Sequence, residues 1–132
     1  MCIFCKIASG EFSSHKIYED DKVLAILDLS QATIGHTLVM PKKHFENIFD
    51  LDEETSKHLF NVVRKISKHY KEQDETIKGI NLLNNNCEAA GQTVMHYHMH
   101  ILPRYDNDDL ENMKFKEHKL DLSEICSKLK IK

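Results

Sequence analysis

The stretch Val94-Met95-His96-Tyr97-His98-Met99-His100-Ile101-Leu102 decides how this chain is read. From His96 to Ile101 imidazoles and apolar or aromatic side chains alternate without a break, and Leu102 and Pro103 follow. Such alternation predicts a strand over 94–102, ended by a proline that has no amide to donate onward. With a side-chain period of two, His96, His98 and His100 share one face, and Tyr97, Met99 and Ile101 share the other. Same-face neighbours then lie about 6.6–7 Å apart, the span of a phosphate group and its flanking oxygens. Three chemistries use such a face: a solvated sheet surface, a metal site, and nucleophilic catalysis at phosphorus. Solvated faces are normally Lys, Glu and Thr rather than three histidines. Spacing does not separate the other two, but the preceding residues bear on the choice. Ala90-Gly91-Gln92-Thr93 offers a glycine for close backbone approach, an amide and a hydroxyl, with no carboxylate. A hydrolytic metal centre normally adds Asp or Glu ligands, and Glu88 is the only nearby candidate.

Outward from this strand the pattern is that of one α+β domain. Cys2 to Ser9 reads as a short helix closed by Gly10. His15–Tyr18 and Val23–Leu27 read as strands around the turn Glu19-Asp20-Asp21, the second apolar throughout and so buried on both faces. Thr37–Met40 reads as a third strand stopped by Pro41, and Ile80–Leu83 as a fourth. The long helix is predicted from Asp50, as N-cap, to about Lys71, with Leu59, Val63, Ile66 and Tyr70 as its buried stripe. Phe60 and Val62 fall beside that stripe, where they are partly exposed unless a second chain covers them. A last helix starts near Asp121, with Leu122, Ile125, Cys126 and Leu129 as its apolar face. The expected architecture is an antiparallel five-stranded sheet with one long helix and short helices at both ends. Residues 1–106 form the domain and 107–132 a C-terminal extension that begins in the acidic break Asp106-Asn107-Asp108-Asp109.

At 132 residues the chain suits a single domain that buries roughly two-thirds of its unfolded surface and needs no disulfides. A content of 41% hydrophobic and 30% charged residues is that of a folded globular protein. No apolar run nears the ~18 residues of a membrane span, and no secretory signal leads the chain, so a cytoplasmic protein with no membrane partner is expected. A net charge of −3 argues against a dedicated nucleic-acid binder but leaves small anions open, because a local site can bind phosphate whatever the total. Four cysteines without a secretory signal fit a reducing compartment.

The segment Gly91 to Arg104 resembles the signature of the histidine triad (HIT) family of nucleotide hydrolases and transferases. Supporting stretches are Tyr18-Glu19-Asp20-Asp21, Leu27-Asp28-Leu29-Ser30 and Gly35 to His44, so the resemblance runs from about Cys2 to Tyr105. It implies that His98 takes the α-phosphate as a covalent nucleotidyl-imidazole, which water or another acceptor then releases as a nucleoside monophosphate. It implies that His100 holds an oxygen or assists the leaving group, that His96 completes the triad, and that His36 supports it from a neighbouring strand. Asn85, Gln92 and Thr93 are similar to the family's phosphate contacts, and Asp28 to its ribose-binding acid. Phe4, Ile7, Ile26 and Leu29 resemble walls of its base pocket, with core packing the plainer alternative for each. The substrate implied is a purine nucleotide derivative: a phosphoramidate, an adenylated small molecule or a dinucleoside polyphosphate. No organic cofactor is implied. A non-catalytic nucleotide sensor is the alternative, which a turnover assay separates. Cys87 stands where relatives often carry glycine, and a positive φ there would reshape the loop that carries Asn85. His15, His58, His69 and His118 match no motif and read as surface.

Cys2-Ile3-Phe4-Cys5 admits a redox pair, unconnected thiols, or half of a tetrahedral zinc site. Bacterial-type HIT proteins and the related uridylyltransferases resemble this chain in joining such a pair to a histidine after the Pro-Lys-Lys strand and to the first triad histidine. The implied ligands are Cys2, Cys5, His44 and His96, holding a structural zinc. The family resemblance also implies a homodimer paired through the long helix and a sheet edge.

Overall fold

The computed structural model describes residues 2–111 and 115–131; the parts of the extension at 112–114 and 132 lie outside the described residues. In chain order the elements are α1 (Ile3–Ala8), β1 (Lys16–Glu19), β2 (Val23–Leu27), β3 (Thr37–Pro41), α2 (Glu53–Gln73), β4 (Gly79–Leu83), β5 (Met99–Arg104) and α3 (Leu122–Leu129), with one 3-10 turn at Glu88–Ala90. The five strands form one antiparallel sheet in the order β1-β2-β3-β5-β4. This is the α+β architecture the sequence pattern predicts. Among the described residues no helix is long and apolar enough to cross a membrane.

Strand alternation divides the core between the two sheet faces. Val23, Ala25, Val39, Tyr97 and Ile101 face α2, where Leu59, Val62, Val63 and Ile66 close over them. Leu24, Ile26, Leu38 and Met40 face the other way and pack under Phe4 of α1. β2 is thus apolar at every position because both of its faces are covered. Val62 is 3% exposed, so it belongs to this core and not to an outer face; Phe60, at 47%, is the exposed one of the pair.

Several boundaries shift by a residue or two from the sequence reading, and β3 takes in Pro41; two of the differences have a clear local reason. The N-cap of α2 is Asp52, whose carboxylate accepts from Thr55 N. Asp50 instead accepts from Glu46 N and Asn47 N, closing the preceding turn. β5 begins at Met99 rather than Val94. Its ladder with β3 covers only Thr37↔Ile101, Leu38↔His100 and Val39↔Met99. Beyond Val39 the partner strand reaches Pro41, which has no amide for the ladder. Tyr97 N turns to Phe45 O, 2.6 Å away, and the His96 ring bonds Pro41 O at 2.7 Å. α3 does start at its Asp121 cap, but none of its residues is buried: Leu122 is 76% and Leu129 69% exposed.

Candidate active site and metal cluster

The alternation survives although His96 and His98 precede the regular strand. Tyr97 enters the core on the α2 side, and the histidines stand on the α1 side. Phe4 sets its ring edge-on against His96 and His98, with centroids 5.9 and 5.0 Å away, and His98 lies 5.0 Å from His100.

Backbone partners settle the proton positions, because a carbonyl oxygen only accepts. His98 Nδ1 lies 2.7 Å from His96 O and must donate to it, which leaves the lone pair on Nε2. Asn84 Nδ2 donates to His98 O and fixes the strand from the other side. Burial pushes the His98 pKa below its ordinary value, against the opposing effect of the bond to His96 O, and so favours the neutral ring. His36 Nδ1 accepts from Ala32 N, so its Nε2–H faces His100 Nδ1 at 2.9 Å. His100 therefore carries its own proton on Nε2. Burial, then His98 and His36, bring its pKa down to about 4. Asp28 Oδ2 stands 3.5 Å from His36 Nε2, while Oδ1 accepts from Ser30 N. Side by side are a ring with a free lone pair and a ring with an N–H to donate.

The loop before the triad is built differently from expectation. Gln92 is 3% exposed; its Oε1 accepts from Cys87 N, and its Nε2 donates to Glu46 O and Val94 O. Its amide braces the loop instead of pointing outward. Cys87 has φ +74, the positive value suspected from its position, and Gly91 has φ +90. Asn85 lines a cavity of about 570 Å³ with His36 and His100, to which Leu110 and Phe115 of the extension contribute. Thr93 is exposed and opens onto another cavity, beside the cysteines. Of the four apolar pocket candidates, Phe4 and Ile26 are core, Ile7 is half-buried against them, and Leu29 is 89% exposed.

The second cluster joins residues that are far apart in sequence. The donor atoms of Cys2, Cys5, His44 and His96 all lie within 4.8 Å of one another. His96 gives Nε2–H to Pro41 O and so presents the Nδ1 lone pair to Cys2 Sγ at 3.3 Å, Cys5 Sγ at 3.5 Å and His44 Nδ1 at 3.2 Å. A tetrahedral zinc with Zn–S of about 2.3 Å and Zn–N of about 2.0–2.1 Å sets its ligand atoms about 3.3–3.8 Å apart. The spacing and the two-thiol, two-imidazole donor set both fit that ion.

Three features escaped sequence reading. His58, which reads as surface from the sequence, is half-buried and bonds Asp20 Oδ2 at 2.7 Å. The same carboxylate accepts from Tyr18 OH, Lys22 N and Val23 N, tying the β1–β2 turn to α2. Asn84 and Asn86 brace the histidine strand and the loop at Ile48. The run Asn84-Asn85-Asn86 was the only available signal.

A fold of this order with a triad on one sheet face is that of the histidine triad proteins, and comparison with known proteins agrees. The HIT domain model matches residues 9–107, and the chain belongs to the HIT family. It is 52% identical over 117 residues to Protein hit of Bacillus subtilis (strain 168), covering 89% of this chain and 80% of that protein. It is 36% identical over 129 residues to Adenylylsulfatase HINT3 of Arabidopsis thaliana, covering 97% of this chain and 65% of that protein. Among solved structures, a member of the HIT family from Bacillus subtilis superposes with a TM-score of 0.87 at 50% identity, covering 96% of this chain and 93% of that one. A Zn-bound histidine triad family protein from Mycobacterium smegmatis gives 0.79 at 38% identity, covering 88% and 84%.

Proposed function

We propose that this chain is a nucleotide hydrolase or transferase that cleaves at the α-phosphate of a nucleoside 5′-phosphoric derivative through a covalent intermediate on His98. The observation that carries the reading is the bond from His98 Nδ1–H to His96 O, which leaves a neutral ring with its Nε2 lone pair available. Nε2 attacks phosphorus as the bond to the leaving group breaks, and His100 Nε2–H donates a hydrogen bond to the departing atom, which takes its proton from solvent. His36, donating to His100 Nδ1, holds the tautomer that makes this donation available. Water then attacks the phosphorus, releases the nucleoside monophosphate and returns His98 to its starting state. Asp28 accepts from the ribose hydroxyls of a purine nucleotide, and Asn85 approaches the phosphate from the Gly91 loop. The adenylylsulfatase relative supports substrates in which adenylate is joined to a good leaving group.

Cys2, Cys5, His44 and His96 hold a structural zinc in this reading; the donor spacing and the Zn-bound relative support it. Such an ion ties α1 to the first triad histidine and, with four protein ligands, keeps no open position for catalysis. A homodimer is part of the same reading, supported by the place of β4 at the end of the strand order and by the exposed Leu82 and Phe60.

The test is His98→Ala, assayed on adenosine phosphoramidate, an adenylated sulfate and a diadenosine polyphosphate. Turnover should vanish while nucleotide binding persists, and wild-type protein quenched during turnover should carry a nucleotidyl mass on the peptide containing His98. Retention of more than a few per cent of the wild-type rate would remove the covalent mechanism.

A further inference from the structure

Cys2 is the N-cap of α1 and Cys5 stands one turn on, with Cys5 N donating to Cys2 Sγ at 3.3 Å. Residues three apart on a helical turn have Cα atoms about 5 Å apart. That separation falls inside the range of about 4.4–6.8 Å that a disulfide spans. The two sulfurs are already within 4.8 Å of each other, and a side-chain rotation closes that gap. Both thiols are half-buried and line a cavity of about 1080 Å³ that Lys6, Ser9 and Thr93 also border. His96, behind them, is fully buried. A small oxidant arriving through the cavity therefore meets the sulfurs before the imidazole.

We infer that Cys2 and Cys5 form an oxidative modification site, at which a peroxide joins the two sulfurs and thereby expels the metal that they help to hold. This rests on the zinc reading above. The step balances: two thiolates, one hydrogen peroxide and two protons give one disulfide and two waters. The first sulfur is oxidised to a sulfenic acid, and the second displaces water from it. Zinc leaves because two of its four ligands no longer carry a lone pair and charge suited to it. A dithiol reductant reverses the step by thiol–disulfide exchange. Cys87 and Cys126 stand alone on other elements and have no such partner among the described residues.

The consequence for the fold is local. A bond within one turn of α1 constrains nothing outside that turn. What changes is the loss of the tie between α1 and His96, 94 residues away from Cys2. His96 keeps its bond to Pro41 O, and His98 keeps its bond to His96 O, so the triad strand stays in place. α1 is then held mainly by the packing of Phe4.

The experiment begins with the zinc content of the isolated full-length protein, which tests the metal reading by itself. The protein is then titrated with hydrogen peroxide in the presence of a chromogenic zinc chelator, and the N-terminal peptide ending at Lys6 is weighed. One zinc released for each peptide made lighter by two hydrogens is the expected result, with both changes reversed by dithiothreitol and added zinc. Amide exchange should quicken at residues 3–8 and stay unchanged at 37–41. A Cys2→Ser chain should form no N-terminal disulfide. Three outcomes overturn the proposal: zinc retained by disulfide-bearing protein, zinc released while both thiols still alkylate, or direct passage to sulfinic acid. A chain isolated without zinc removes the metal reading and the coupled release with it.

Discussion

Cys87 has φ +74 and ψ +158, a backbone region that belongs almost entirely to glycine. A side chain held there costs on the order of 1–3 kcal/mol. It persists because the loop over-determines it: Cys87 N donates to Gln92 Oε1 at 2.7 Å, and Cys87 O accepts from Ala90 N and Gln92 N. Replacing Cys87 with glycine removes the strain and keeps all three bonds. Against that gain stand the greater freedom of glycine in the unfolded chain, about 0.5–1 kcal/mol, and one weak contact, Asn47 Nδ2 to Sγ at 3.7 Å. The side chain is exposed, so little burial is lost. Cys87→Gly should therefore stabilise the protein by about 1 kcal/mol, or about 3–5 °C in Tm for a domain of this size. Equilibrium unfolding in urea measures it as a higher midpoint with an unchanged slope. Cys87→Ala keeps the Cβ and the strain, and serves as the comparator. A lowered midpoint for the glycine variant, or an equal rise for alanine, would refute the argument from backbone strain.

Burial works against ionisation of Asp20, yet bonds from Lys22 N, Tyr18 OH, His58 and Val23 N overcome it and hold the carboxyl at about 2. A depressed carboxylate stabilises the fold above its unfolded pKa, and that contribution disappears as pH falls from about 4 through about 2. After allowance for its 22% exposure, Asp20→Asn should cost about 2 kcal/mol at neutral pH and little at pH about 2; urea melts at both pH values measure this. Changing Cys2 and Cys5 together to serine should abolish bound zinc and lower Tm more than it lowers the rate per folded molecule. Full thermal stability in the metal-free double variant contradicts a structural ion. Removing 106–132 takes away Leu110 and Phe115 beside His100, and should change KM while sedimentation still reports a dimer. A monomeric full-length protein at micromolar concentration ends the dimer reading.

The elements whose period or cap is local were legible in the residues themselves. Val23–Leu27 is apolar at every position because both faces of its sheet are covered, and Asp121 caps α3 through a bond three residues on. The histidine face was equally plain, since side-chain alternation follows from the chain's own geometry and persists at His96 even where the ladder has stopped. Family resemblance, not spacing, picked out Cys2, Cys5, His44 and His96, and only the folded chain carries their ligand atoms to within 4.8 Å of one another. Other features depended on partners that no local pattern names. Asp52 took the cap expected of Asp50 because Asp50 had two other amides to satisfy. Gln92 turned inward because Cys87 N and two carbonyls needed its amide. The protons on His98 and His100 were placed by His96 O and by the chain Ala32–His36, each a contact made by folding. Sequence periodicity determines which face a side chain takes, because that is set within a few bonds; tertiary structure decides which lone pair is free, because that depends on whatever backbone arrives at the ring's other nitrogen.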